Sequence, residues 1–226
     1  MNATNALPPV IAIDGPSASG KGTVAQRVAA LLGFHYLDSG ALYRLVAVAA
    51  RHAGVAWDDE PALAPLAASL EARFDGDDIY LRDHLVTSAV RSEEAGVGAS
   101  KVAVWPAVRA GLLARQKAFR QAPGLVADGR DMATVVFPDA SLKIFLTADV
   151  ATRAERRHKQ LIAKGMSASI ATLLQDLQAR DERDSQRSAA PLRKTDDAIL
   201  LDTTHLSIEA AVGFVMARYH AVTKVP

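Results

Sequence analysis

Gly15-Pro16-Ser17-Ala18-Ser19-Gly20-Lys21-Gly22-Thr23 brings glycines, hydroxyls and one cation into a single short segment. That combination suits phosphate. A turn tight enough to aim successive backbone N–H groups at phosphate oxygens needs residues without a Cβ at its bends, and Gly15 and Gly20 supply them. Lys21 then carries a cation to the β- and γ-phosphates, and a neighbouring hydroxyl can face a Mg2+ ion. Gly22 occupies the usual hydroxyl position, with Thr23 one residue later. Taken alone, the segment also reads as a glycine-rich strand-to-helix turn with an incidental lysine. The apolar run Val10–Asp14 before it and the helical pattern after it favour phosphate binding.

Further along, Leu125-Val126-Ala127 runs into Asp128, as a parallel strand would deliver a carboxylate to the ligand edge of a sheet. With Lys21 in the same chain, Asp128 is expected to hold the metal directly or through water, rather than merely to open an Asp-Gly turn. Arg153 and Arg157 are four apart on one helical face, with Arg156 between them; Arg180, Asp184 and Arg187 share a face of the next helix. Joined by a short turn at Gly165, these helices would form a flap whose arginines neutralise charge on a migrating phosphoryl group. Without the phosphate loop, a solvated helix pair would explain the same spacing. Arg130 and Asp131 follow the Asp128 strand directly, and Tyr43, Arg44 and Arg109 lie on earlier helices expected to face the same edge. Such groups can grip a monophosphate and accept a hydrogen bond from an exocyclic amine such as cytosine N4.

The elements that must hold these residues alternate between strand and helix, which predicts a parallel sheet covered on both faces. A helix is expected over 20–32, with Val24, Val28, Leu31 and Leu32 inward and Gly33 as its stop. Strands are expected at 34–37, 125–128, 142–146 and 198–201. Helices should fill 41–52, 63–70, 149–164, 167–187 and 207–222, with Asp149 and Ser207 as N-caps. From Glu71 to Ser92, β-forming residues separated by Asp-Gly and charged clusters read as a small antiparallel meander inserted into the α/β fold. Helical pattern returns over 100–120, where Pro106 demands a new start or a kink.

Composition sets the outer bounds. The 226 residues suffice for one large α/β domain with an insertion. A formal net charge of +1 argues against nucleic acid as the main partner. With no cysteine, disulfides, thiolate metal sites and thiol catalysis are excluded together. Residues 1–9 lack the basic start and apolar core of a signal peptide, and no run is long enough to span a membrane. A cytoplasmic protein is expected.

The motifs around Gly15–Thr23, Leu37-Asp38-Ser39-Gly40-Ala41-Leu42-Tyr43-Arg44, Ala127-Asp128-Gly129-Arg130-Asp131-Met132 and Arg180–Arg187 occur in order over nearly the whole chain. So do Pro138-Asp139-Ala140 and Lys143-Ile144-Phe145-Leu146. Together they resemble bacterial cytidylate kinases, members of the nucleoside monophosphate kinase superfamily, in which Gly22 is a shared mark. The resemblance implies a P-loop NTPase-type five-stranded parallel sheet flanked by helices, an inserted antiparallel β domain that binds the monophosphate, and a short helical lid. It places the core at 1–62, 104–152 and 189–226, the inserted domain at 63–103, and the lid with the arginine-bearing helices at 153–188.

It further implies that residues 15–23 bind ATP and that Ser39, Tyr43 and Arg44 contact CMP. Ser100, Arg109 and Asp131 would read cytosine, Arg130 and Arg180 would hold the acceptor phosphate, and Asp184 would meet the sugar with Arg187 nearby. Lys21, Arg153, Arg157 and Arg180 would be catalytic, with Thr23 and Asp128 at Mg2+. The expected reaction is γ-phosphoryl transfer from ATP to CMP or dCMP by a monomer, without nucleic acid or membrane, and with closure on the acceptor to exclude water. Competing readings are a kinase of another small acceptor such as UMP, AMP or shikimate, and a non-catalytic ATP-binding module. A GTPase-type switch is less apt, because no Asn/Thr-Lys-x-Asp guanine reader is present.

Overall fold

The computed structural model describes residues 7–163 and 165–223. In chain order the elements are β1 (Val10–Asp14), α1 (Lys21–Leu32), β2 (His35–Asp38), α2 (Ser39–His52), α3 (Glu60–Ala68), β3 (Ala72–Asp75), β4 (Asp78–Leu81), β5 (His84–Leu85), α4 (Thr87–Val90), α5 (Glu93–Val102) and α6 (Pro106–Ala118). They continue with β6 (Leu125–Gly129), a π-helical turn (Met132–Val136), β7 (Leu142–Thr147), α7 (Val150–Ala163), α8 (Ile170–Gln186), β8 (Ile199–Asp202) and α9 (Ile208–Thr223). Among the described residues, no helix is long and apolar enough to cross a membrane.

Two compact units result. The first takes the chain up to Leu37, Ala118–Gln186 and the chain from Ala190; the second takes Asp38–Lys117 with Arg187–Ala189.

The first unit is built on a five-stranded sheet of order β2-β6-β1-β7-β8. Central β1 is buried throughout, as its unbroken apolar run requires of a parallel strand covered on both faces. It pairs in parallel with β6, Ile13 opposite Asp128 and Asp14 opposite Gly129, and in parallel with β7 on its other side. The carboxyl ends of β1 and β6 therefore emerge side by side, which is where open α/β sheets gather ligand groups. One face of the sheet packs on α1 and α9, with Val24, Val28, Val215 and Tyr219 meeting Ile11, Ile13 and Ile144. Phe34 meets Tyr219 edge to face, with ring centroids 5.7 Å apart.

On α1, Leu31 does not face inward as its spacing suggests; it is 65% exposed. Ala25 and Ala29 take that side with Val24 and Val28. The small alanines bring the helix close to the sheet and rotate its buried stripe away from Leu31. Gly33 ends the helix with φ 65°. The helical hairpin α7–α8 has its own core of Ala154, Leu161, Leu173 and Leu177, and turns at Gly165. Asp149 caps α7 through the Thr152 amide, and Ser207 caps α9 through the Ala210 amide. The expected helix end at Lys164 lies outside the described residues, as do residues 1–6 and 224–226. Arg187 falls just beyond the last residue of α8, so it does not share the helical face of Arg180 and Asp184.

In the second unit, α2 packs against α3, α4 and α5. Asp38 caps α2 by accepting from the Ala41 amide at 3.0 Å. The expected meander is present as an antiparallel β3-β4-β5 sheet, but it ends sooner than its β-formers suggest. Val86 donates to the Ile79 carbonyl and Thr87 Oγ1 accepts from the Ile79 amide, after which α4 begins. Local hydroxyl bonding there displaces further strand pairing. Pro106 opens α6 as its first residue, where its missing N–H costs nothing, and Glu60 accepts the Ala107 amide at 2.9 Å.

Ile144→Ala, at a fully buried sheet position, is expected to lower unfolding free energy by about 2–5 kcal/mol. Leu31→Ala is expected to stay within about 0.5 kcal/mol of the parent. Urea unfolding midpoints of the two variants check both.

Candidate active site

Gly15 leaves β1 so close to β7 that a Cβ there would lie 1.9 Å from the Leu146 carbonyl oxygen. No side chain fits. The chain then turns through Ala18, at φ 59°, and Gly20, at φ 93°, and Gly20 becomes the N-cap of α1. Helix N-termini present amides without intrahelical partners and carry a positive dipole end, so this turn is an anion site by construction. Ser19 Oγ donates to the Pro16 carbonyl at 3.0 Å, and Lys21 Nζ lies 3.5 Å from the same oxygen. The Ala18 side chain packs against the apolar core of the α7–α8 hairpin.

The loop's carbonyls are tied to side chains around it. Arg153, buried at 5% exposure, donates from Nη1 to the Ser17 carbonyl at 3.1 Å and pairs through Nη2 with Asp181 at 2.5 Å. Arg156 donates to the Ser19 carbonyl at 3.2 Å and to both oxygens of Thr203. Thr203 Oγ1 lies 3.1 Å from that Ser19 carbonyl as well. Arg130 spends its guanidinium on Asp184 at 2.9 Å, on its neighbour's Gly129 carbonyl at 3.1 Å and on Ser17 Oγ at 2.7 Å. Burial alone would lower the Arg130 pKa, but the charge and hydrogen bond of Asp184, with Asp128 and Asp14 behind them, hold it above its ordinary value.

Asp128 reaches the loop as its strand position predicts. Its Oδ1 is 3.6 Å from Lys21 Nζ and its Oδ2 accepts from the Tyr36 hydroxyl at 3.4 Å. A Cβ on Gly22 would approach that Oδ2 to 3.1 Å, so the missing side chain at this position makes room for the carboxylate. A hard oxygen donor beside the phosphate-loop lysine fits a Mg2+ ion that shares its coordination with phosphates. Thr23 is exposed in the first turn of α1.

The structure thus gathers the loop, Asp128, Arg130, Arg153 and Asp184 in one place. Arg157, one turn beyond Arg153, instead hydrogen-bonds Gln160 in its own helix at 3.1 Å. Arg180 is half-buried on α8, and Asp131 is buried as the N-cap of the π-helical turn. Ser39, Tyr43, Arg44, Ser100 and Arg109 belong to the second unit, which also takes Arg187. There the Arg109 guanidinium lies over the Tyr43 ring, 5.5 Å from its centroid, and donates to the Ala103 carbonyl. Arg44 donates to the Val90 and Ser92 carbonyls. Ser100 is buried on α5, its Oγ without a hydrogen-bond partner among the described residues. Such a group suits a ligand that brings its own partner.

Sequence reasoning passed over Arg156, Asp181, Thr203, Tyr36 and Asp14. Of these, Asp14 carried a signal, as a carboxylate ending an apolar strand in the same way as Asp128. Its oxygens accept the Met132 and Ala133 amides at 2.9 and 2.8 Å, pinning the end of β1 to the π-helical turn. Burial pushes its pKa up to about 7 against those amides, and the Asp131 charge adds to the rise. Because the folded-state pKa exceeds the ordinary 3.8, the stabilising contribution of protonated Asp14 is whole below that value and is lost as pH rises through about 7. Asp14→Asn removes the titrating proton while keeping one of the two acceptor oxygens. Its stability relative to the parent is expected to improve from about pH 5 to about pH 8, as read from urea midpoints; a constant difference would show that Asp14 does not titrate in this window.

Comparison with known proteins agrees with this geometry. A family model described as cytidylate kinase matches residues 11–221. The chain is 62% identical over 208 residues to the cytidylate kinase of Chromobacterium violaceum, covering 92% of this chain and 94% of that one. It is 56% identical over 221 residues to that of Bordetella bronchiseptica, covering 98% and 99%. In fold alone it is similar to a gluconokinase from Sinorhizobium meliloti 1021, with TM-score 0.50, 15% identity and coverage of 96% and 94%. With the phosphate loop, its carboxylate and its arginines in place along the matched residues, the chain belongs to the cytidylate kinase family.

Proposed function

We propose that this protein transfers the γ-phosphoryl group of ATP to the 5′-phosphate of CMP or dCMP, giving ADP and the corresponding diphosphate. The observation that carries the reading is the phosphate loop held between Arg130 and Arg153, on a chain whose family membership spans nearly its full length. The attacking oxygen is already anionic, so no general base is needed. The protein contributes alignment, charge neutralisation and exclusion of water.

The residues divide that work. The loop amides of Gly15–Thr23 and Lys21 hold the ATP phosphates, with Arg153 adding charge from behind the loop. Arg157 and Arg180 are assigned the migrating phosphoryl group. Arg130 and Arg180 are assigned the acceptor phosphate, Asp184 and Arg187 the sugar side, and Ser100, Arg109 and Asp131 the cytosine, alongside Ser39, Tyr43 and Arg44. Asp128 and Thr23 would hold Mg2+, directly or through water, and the ion when bound supplies charge that bridges and neutralises the phosphates. We place the domains as core 1–62, 104–152 and 189–226, monophosphate-binding insertion 63–103 and lid 153–188, in a cytoplasmic monomer.

An ADP-release assay over nucleoside monophosphates and shikimate is expected to give turnover with CMP and dCMP well above that with AMP, UMP or shikimate. Equal rates across the panel would end the assignment. Arg180→Ala is expected to lower kcat by about 10²–10³-fold, as loss of one preorganised charge contact does. Unchanged turnover would point instead to a non-catalytic nucleotide-binding module.

A further inference from the structure

Ser17 is a residue of the phosphate loop, yet its side-chain oxygen and its main-chain oxygen both face arginines. Its carbonyl accepts from Arg153, which Asp181 pairs; its hydroxyl accepts from Arg130, which Asp184 pairs. Asp181 and Asp184 are three apart on α8, hence on the same helical face. One helix therefore backs two arginines that converge on one serine. The two bonds differ in what they do. A carbonyl bond from Arg153 fixes the loop's backbone, and any residue at position 17 could accept it. The hydroxyl bond fixes the arginine instead.

Each of the three nitrogens of Arg130 makes one bond within the protein, Nε to a carboxylate, Nη1 to a backbone carbonyl and Nη2 to the Ser17 hydroxyl, which leaves one further N–H on each terminal nitrogen for a phosphate. Two of these lie on the strand end and α8; only Ser17 lies on the loop. A guanidinium is planar and rigid, so a third point of attachment sets its orientation as well as its position. Bidentate binding of a phosphate is sensitive to that orientation.

We propose that Ser17, through its hydroxyl, is a positioning residue for the acceptor side of the reaction: it orients Arg130 toward the acceptor phosphate and registers that arginine against the loop that holds the donor. The proposal rests on the assignment of Arg130 to the acceptor phosphate made above. It gives a residue of the donor loop a function in acceptor binding, which loop membership alone does not imply. It also explains why a hydroxyl stands at position 17 when loop geometry asks only for a small residue.

The test is a double-mutant cycle of Ser17→Ala and Arg130→Ala, with CMP and ATP affinities measured separately by titration calorimetry so that no turnover is needed. Ser17→Ala is expected to weaken CMP binding about tenfold, the size of one lost hydrogen bond to a charged group, and to weaken ATP binding less. In the Arg130→Ala background, adding Ser17→Ala is expected to leave CMP affinity unaltered. If Ser17→Ala weakens ATP at least as much as CMP, or if its CMP penalty persists in full without Arg130, the positioning role is overturned and Ser17 serves only the loop. If Arg130→Ala leaves CMP affinity unchanged, the assignment of Arg130 to the acceptor fails, and the inference fails with it by a distinct signature.

Discussion

Two guanidinium groups beside the phosphate loop, Arg153 buried and Arg130 partly buried, are each matched by a carboxylate of α8, and they are the constraint on which the site depends. A buried charge without a partner costs several kcal/mol, so Arg153 and Arg130 can stand against the loop only because Asp181 and Asp184 stand behind them. The pairing does more than neutralise. Each arginine retains donors for the loop, and those donors bind Ser17 from two sides. A turn that relies on glycines at 15 and 20 would otherwise be a poor scaffold, since glycine loses more backbone freedom on ordering than any other residue.

Around that bracket the electrostatics are prepared for an anion that arrives with a cation. Lys21, Arg130, Arg153 and Arg156 place positive charge about the loop, while Asp128 sits 3.6 Å from the lysine ammonium. Where these groups are buried, as at Arg153 and Asp128, their charges act more strongly than they would at the surface. Side-chain and backbone bonds hold these charges in place around the loop, which is what charge stabilisation of phosphoryl transfer requires.

Much of this was legible in the chain, and the reasons are specific. Val10–Asp14, the glycines at 15 and 20, and Lys21 announce a strand, a tight turn and a phosphate cation, because each step is governed by local sterics or a short spacing. Asp128 was legible for the same reason: an apolar strand must end somewhere, and a carboxylate at its end faces the ligand edge. The reading of Leu31 as inward failed because 3.6-residue periodicity gives the width of a buried stripe but not its rotation, and the alanines decided that. The meander was visible in its β-formers, yet its early end depended on hydroxyl and backbone bonds around Ile79 that no spacing reports. Arginine spacing on α7 singled out Arg153 and Arg157 by their shared face, but it carried no sign that Arg156 bonds the Ser19 carbonyl, because that contact spans more than a hundred residues.

The sequence by itself determined an α/β sheet with a phosphate-binding loop, because those properties reside in contiguous motifs with their own local geometry, while its place among phosphotransferases followed from the resemblance of several motifs in order along the chain. Tertiary structure alone decided how the site is held. Asp14 reaches Met132 and Ala133, Thr203 reaches Ser19, and Gly22 yields space to Asp128, all across separations of about a hundred residues or more. Such contacts follow from which strand lies beside which, and a linear spacing carries no information about that until the sheet order β2-β6-β1-β7-β8 is formed.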